Sequence, residues 1–287
     1  LSNVDDINIE AIFEPEHGIW GMDDKRAKLI GNKRVDPVSG ARVFNLFERS
    51  LYPPDWIMKK LDIIVIDIQD TGVRYTTFIS SITKLFESAS EHEIPVIILD
   101  RPNPLGGLKI EGPLPREDYQ SFEAYHLVPV RHGMTIGELL LMVNEMGWVK
   151  DLKRVDLSIV PMANWKREQY IDETQLPWKK PAPYIKDLNT LIMYSGMDLF
   201  RGTNINVGFG TDTPYLSFGS PWLATKFFIE KLDMLNLPGV KFKEVEFRPK
   251  GSPYYNRVPK YNGRQCSGIE ISISDKKLVK PLETATS

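Results

Sequence analysis

Acids, arginines and glycines gather at the ends of two short apolar runs in this 287-residue chain. The first, at 63–66, runs into Asp67, Gln69, Asp70, Gly72, Arg74 and Tyr75. The second, at 96–99, runs into Asp100, Arg101, Asn103, Gly106 and Gly107, with Glu111 close behind. A β-branched run bounded by turn residues reads as a buried strand, and ligands of open α/β sheets collect where such strands release their carboxyl ends. Arginine there suits a carboxylate or a phosphate, because its planar fork binds either in two places at once. A third cluster sets Glu14 and Glu16 around Pro15 and follows with His17 and Gly18. Histidine titrates near neutral pH, and glycine lets a backbone approach a ligand closely. A fourth, Arg131, His132 and Gly133, opens a helix at Thr135, and a helix N-terminus favours an anion. Structural duties compete with these. Asp67 serves equally well as a buried acceptor for backbone amides, Arg74 as a salt-bridge partner of Asp67 or Asp70, Arg101 as a pin on Asp100, and Tyr75 as packing beneath the next helix.

The elements that must carry these groups are legible from periodicity. A strand at 9–13, the end of a short helix at 57–61 and a strand at 62–68 precede a helix over 76–92. That helix presents Phe78, Ile79, Ile82, Leu85 and Phe86 on one face. With the strand at 96–99 this forms a βαβ unit, whose crossover is right-handed and whose strands are parallel. A further helix spans 135–146, where Thr135 and Glu138 have the spacing of a capping box, and 157–160 is another strand. Beyond it the texture turns to loops rich in proline, tryptophan and glycine. The expected fold is therefore α/β, with a Rossmann-like parallel-sheet domain over 1–150 and a smaller α+β domain over 151–287. The charged stretch 23–34 reads as a solvated loop.

Composition removes several classes of function. With 36 basic and 38 acidic residues, the chain offers no electrostatic case for nucleic acid. The single cysteine, Cys266, excludes an internal disulfide and reads as a small buried residue of a C-terminal strand. No apolar run is long enough to cross a bilayer, and no basic and apolar leader opens the chain, so the compartment is left open. The sequence contains no G-x-G-x-x-G after its first strong strand, no Walker A, no H-E-x-x-H and no G-x-S-x-G, which implies no familiar cofactor. The four histidines, at 17, 92, 126 and 132, are dispersed and give a metal no support.

The motifs at 14–18, 67–75, 100–113, 131–138 and 176–178, in that order, resemble the exo-β-N-acetylmuramidase family of glycoside hydrolases. The resemblance runs from about Glu14 to Gly268. It implies a Rossmann-like domain, a smaller C-terminal domain and an active site in the cleft between them. It further implies release of N-acetylmuramic acid from non-reducing ends of peptidoglycan fragments, no cofactor, and an extracytoplasmic place as one option. Glu16 carries over as the catalytic acid; partial burial is expected to raise its pKa, and Asp67, Asp70 or Glu111 is expected in the second role, as base, electrostatic stabiliser or group orienting the substrate's 2-acetamido group. Arg74, Arg101 and Arg131 become candidates for the lactyl carboxylate of muramic acid. His17, Tyr75, Asp100, Asn103, Glu111, His132 and Asn204 complete the expected substrate-binding set. Three departures stand out. Arg201 occupies a place where the family has glutamate, Val207 and Phe209 replace a glutamate and an arginine, and Ala182 and Tyr184 replace a serine and an asparagine. The family's opening strand and helix have no counterpart upstream of Glu14. A muropeptide-binding protein of the same fold is thus an alternative to the hydrolase, and a nucleotide-dependent enzyme is a weaker one.

Overall fold

A computed structural model describes residues 6–18, 35–47, 50–251 and 258–287; the expected loop at 23–34 lies outside them. The chain divides into two compact units, Leu1–Pro181 and Ala182–Ser287. In the first, β1 (Ala11–Glu14) pairs in parallel with β2 (Arg42–Asn45), a strand that the sequence did not announce. A short helix α1 (Asp55–Met58) leads to β3 (Ile64–Ile66), α2 (Phe78–Glu91), β4 (Val96–Leu99), α3 (Ile136–Glu145) and β5 (Leu157–Val160). Strands β3, β4 and β5 lie side by side in that order, all parallel, so the βαβ expectation holds.

Alternation decides which face of this sheet is core. Ile64, Ile66, Val96 and Ile98 point into a cluster with Ile82, Leu85, Phe86 and Ala89 of α2 and Leu139, Leu140 and Val143 of α3. The intervening Val65 and Val160 face out and are exposed. The capping box of α3 is complete: the Thr135 hydroxyl accepts from the Glu138 amide at 3.2 Å, and Glu138 accepts from the Thr135 amide at 3.0 Å. Such caps contribute about 1 kcal/mol.

Helix α2 is fixed by a buried polar clamp as well as by its apolar face. Glu87, almost fully buried, accepts from Lys84 at 2.9 Å and from the Tyr52 hydroxyl at 2.6 Å. Lys84 also donates to the Tyr125 hydroxyl at 2.6 Å and lies over both tyrosine rings. One turn away, Thr83 bonds His126 Nε2 at 2.8 Å, and the imidazole stacks on Trp148.

The second unit is built differently. Helix α4 (Leu188–Met197) begins at Asp187, whose carboxylate accepts from the Thr190 amide at 2.8 Å. An antiparallel sheet of β6 (Ser217–Ser220), β7 (Val240–Phe247) and β8 (Cys266–Ile273) has β8 in the middle. Helix α5 (Thr225–Met234) lies between β6 and β7 in sequence, and α6 (Pro281–Thr286) closes on α4. Gly196 permits that last contact, since a Cβ there would run into the Pro281 carbonyl. Cys266 is buried in β8 as expected, and burial pushes its thiol pKa up. No helix among the described residues is long and apolar enough to cross a membrane.

Burial, aided by the charge of Lys84, pulls His126 down to about 4. A histidine in the unfolded chain titrates near 6.5, so between these values the unfolded state takes up a proton that the folded state refuses. Stability is therefore full above about pH 6.5 and declines as the pH falls toward 4, by up to about 3 kcal/mol. Urea unfolding across that window should show this decline, and His126→Gln should remove that part of it.

Candidate active site

The loop after β1 turns Glu16 toward the start of α2. His17 and Gly18 both hold left-handed backbone, φ 68° and 65°, which bends the chain back at once. Glycine accepts that conformation without strain, and histidine tolerates it better than most residues. The close neighbour of Gly18 is the buried carboxylate of Glu14, so a side chain at 18 has little room. Glu16 Oε2 accepts a hydrogen bond from the Thr77 hydroxyl at 2.8 Å. Its Oε1 stands 3.9 Å from His17 Nε2, with the Glu16 side chain about one-fifth exposed.

The loop after β3 carries Asp70 inward and leaves Asp67 outside. Asp70 is 5% exposed, and its Oδ2 accepts from the Gly72 amide at 2.8 Å. His132 Nε2 lies 3.4 Å from the same oxygen. Because His132 Nδ1 accepts from the Met134 amide at 3.2 Å, the ring proton sits on Nε2. No described residue donates to Asp70 Oδ1. Asp67 is exposed rather than a buried amide acceptor, and it pairs with Arg101 Nε at 2.5 Å, which raises the Arg101 pKa. The backbone follows Gly72 at φ 77°, where a Cβ would collide with the Asn103 amide.

Several expected binding residues are framework. Asn103 is buried, accepts from the Leu105 amide at 2.9 Å and donates to the Met134 carbonyl at 2.9 Å. Asp100 sits at the start of α3, accepting from the Gly137 amide at 2.8 Å and the Thr135 hydroxyl at 2.9 Å. Arg101 touches Asp100 only through its own amide. Arg131 is 2% exposed; its guanidinium pairs with Glu111 and reaches the Leu105 carbonyl at 3.3 Å. Its backbone exchanges hydrogen bonds with Glu111 and also bridges Val73.

Arg74 is the exception among the arginines. Its Nη1 donates to the carbonyls of Val128 at 2.6 Å and Pro113 at 2.7 Å, and its guanidinium lies 5.9 Å from the centre of the Tyr75 ring. No described carboxylate lies within salt-bridge distance of it, so the expected pairing with Asp67 or Asp70 does not form. Burial alone lowers its pKa. Among the described residues, no group of three or more His, Cys, Asp or Glu could hold a metal.

In the second unit, Asn204 is exposed, and its carbonyl accepts from the Tyr261 hydroxyl at 2.6 Å. The Lys260 ammonium donates to four neighbouring carbonyls, those of Phe200, Arg201, Thr203 and Ile205. Sequence reading passed over Lys260, and it passed over Thr77, which spacing marks only as the residue entering a helix.

Two family profiles together span the chain. One, described as Exo-beta-N-acetylmuramidase NamZ, N-terminal, matches residues 1–189, and another, Exo-beta-N-acetylmuramidase NamZ, C-terminal, matches residues 192–287. A curated relative, Peptidoglycan beta-N-acetylmuramidase NamZ of Bacillus subtilis (strain 168), is 36% identical over 282 residues, covering 98% of this chain. The chain spans 65% of that relative's length. Two crystal structures of DUF1343 family proteins from Bacteroides fragilis NCTC 9343 are similar as well. One has a TM-score of 0.86 at 30% identity, covering 99% of this chain and 70% of its own; the other has 0.72 at 28%, covering 94% and 75%.

The two kinds of ion pair predict losses of different size. Arg131→Ala strands Glu111 and the Leu105 carbonyl and should cost about 3–5 kcal/mol in urea unfolding. Arg101→Ala, at an exposed pair, should cost less than about 1 kcal/mol in the same measurement.

Proposed function

This chain belongs to the exo-β-N-acetylmuramidase family, and from that premise we propose that it is a glycoside hydrolase of peptidoglycan fragments. Its proposed substrate is a muropeptide with N-acetylmuramic acid at the non-reducing end, which it releases. The observation that supports this most is the placement of Glu16: a partly exposed carboxyl, oriented by a hydroxyl and flanked by His17. Glycosidic cleavage needs a proton for the leaving oxygen and stabilisation of an oxocarbenium-like transition state, duties usually divided between two carboxyl groups. In this proposal Glu16 gives the proton. Asp70 is the second carboxylate, because one oxygen is fixed by Gly72 and His132 while the other is left to act. Asp67, tied to Arg101 in the open, is the lesser candidate for that role.

Arg74 is proposed to meet the lactyl carboxylate. A half-buried guanidinium held only by carbonyls retains its full charge for an anionic ligand, and a charge-assisted pair there is stronger than a neutral bond. Arg131 and Arg101 have carboxylate partners already and rank behind it. Tyr75 and His17 border these groups. Asp100, Asn103, Glu111 and His132 act through the loops they hold.

Glu16→Gln should lower release of a chromogenic N-acetylmuramide by a factor of roughly 10² to 10⁴ with the fold intact. Turnover at the wild-type rate would remove Glu16 from the mechanism. Product analysis with a defined muropeptide tests the substrate: free N-acetylmuramic acid is expected, and binding without product would point to a carbohydrate-binding protein instead.

A further inference from the structure

Thr77 does not do what its position asks of it. A threonine at the residue before the first helical turn ordinarily turns its hydroxyl onto a backbone amide of that turn. Thr77 has φ −74° and ψ −3°, already helical, and makes no such cap. Its side chain is buried, and its hydroxyl bonds Glu16 Oε2 at 2.8 Å, its sole side-chain hydrogen bond to a described residue. Helix α2 has no acid in its own first turn, and the Glu16 carboxyl, arriving from the loop after β1, stands at the positive end of its dipole, which favours the charge left when its proton departs.

We infer that Thr77 is a positioning residue for Glu16, fixing the direction of the carboxyl and stabilising the charge that appears on it as its proton leaves. This rests on Glu16 being the general acid. In that step the O–H bond of Glu16 breaks, the proton goes to the glycosidic oxygen, and the electron pair stays on Glu16. A hydroxyl both accepts and donates, so Thr77 serves the protonated acid beforehand and the carboxylate afterwards without moving. A donor already in place where charge develops lowers the barrier, because nothing must reorganise during the reaction. The rest of α2 holds it there: the helix is clamped two turns on by Lys84 and Glu87. Among the described residues, His17 is the titratable group shown beside Glu16, its Nε2 3.9 Å from Oε1.

Thr77→Val removes the hydroxyl at nearly constant shape, and Thr77→Ser keeps it. In Thr77→Val, kcat for a chromogenic N-acetylmuramide should fall about tenfold with KM within about twofold, since Thr77 positions the acid and not the sugar. The alkaline limb of the kcat profile should move up by about one pH unit, because a carboxyl that has lost a donor holds its proton longer. Thr77→Ser should restore both. Carbon-13 titration of the Glu16 carboxyl should show the same upward move without any turnover, and Thr77→Ala can be read in the same way should the valine variant not fold. An unchanged titration in the variants lacking the hydroxyl, or equal losses in valine and serine variants with no change in the pH limb, would overturn the inference. Wild-type turnover by Glu16→Gln would instead sink the acid role of Glu16 and leave the titration result standing.

Discussion

One buried guanidinium locks together the loops that carry the candidate residues. Arg131 comes from the segment that opens α3, and its side chain ends on Glu111 and Leu105, both from the long loop after β4. Its backbone bridges Glu111 on one side and Val73, from the loop after β3, on the other. Two connections, the one after β3 and the long one between β4 and α3, are thereby set against one another by a single residue. Burying such a charge is tolerable only because a carboxylate and a carbonyl meet it, and losing either partner leaves the other desolvated and unpaired. The next residue, His132, extends the same lock to Asp70, while Asn103 and Gly72 pack so closely that no side chain fits between them.

That arrangement divides the polar groups by what they have left to offer. Asp100, Asn103, Glu111 and Arg131 spend most of their hydrogen-bonding capacity on backbone, on the Thr135 hydroxyl and on each other, while Arg131 Nε finds no partner among the described residues. Glu16, Asp70 and Arg74 do not spend theirs in the same way. Arg74 is neutralised by no described carboxylate, Asp70 keeps one oxygen unused by described residues, and Glu16 is partly exposed. Asp70 is held by the Gly72 amide beside His132, Arg74 by the carbonyls of Val128 and Pro113, and Glu16 by the Thr77 hydroxyl, and groups held in place beforehand need not reorganise during a reaction.

Periodicity and turn chemistry made much of the first unit legible. The β-branched runs at 63–66 and 96–99 became parallel strands, and Thr135 with Glu138 became a complete capping box. Both signals are local: they depend on residues within a few positions of one another. Partner choice is not local, and there the sequence was mute. Nothing in the spacing says that Arg101 takes Asp67, that Arg131 takes Glu111 from twenty residues away, or that Arg74 takes two carbonyls. Thr77 was hidden for the same reason, since a threonine entering a helix has an ordinary explanation and Glu16 stands on another element altogether. Strand β2 escaped because four residues of mixed polarity, with arginine first and asparagine last, give no alternation to read.

The loop at 200–205 in the second unit is held through its backbone. Lys260 binds that loop through the carbonyls of Phe200, Arg201, Thr203 and Ile205, and Tyr261 adds the carbonyl of Asn204. Carbonyls are the same whatever side chain they accompany, so this cage fixes the path of the chain without constraining residue type. Arg201 then finds a local partner in Asp198 at 3.4 Å. Phe209 is buried against the ring of Tyr184, where a charged side chain would need a partner of its own, and Val207 is buried too. Val207 and Phe209 stand where the resemblance to the family calls for a glutamate and an arginine, and burial of both suits apolar side chains better than charges, with Tyr184 packed against Phe209.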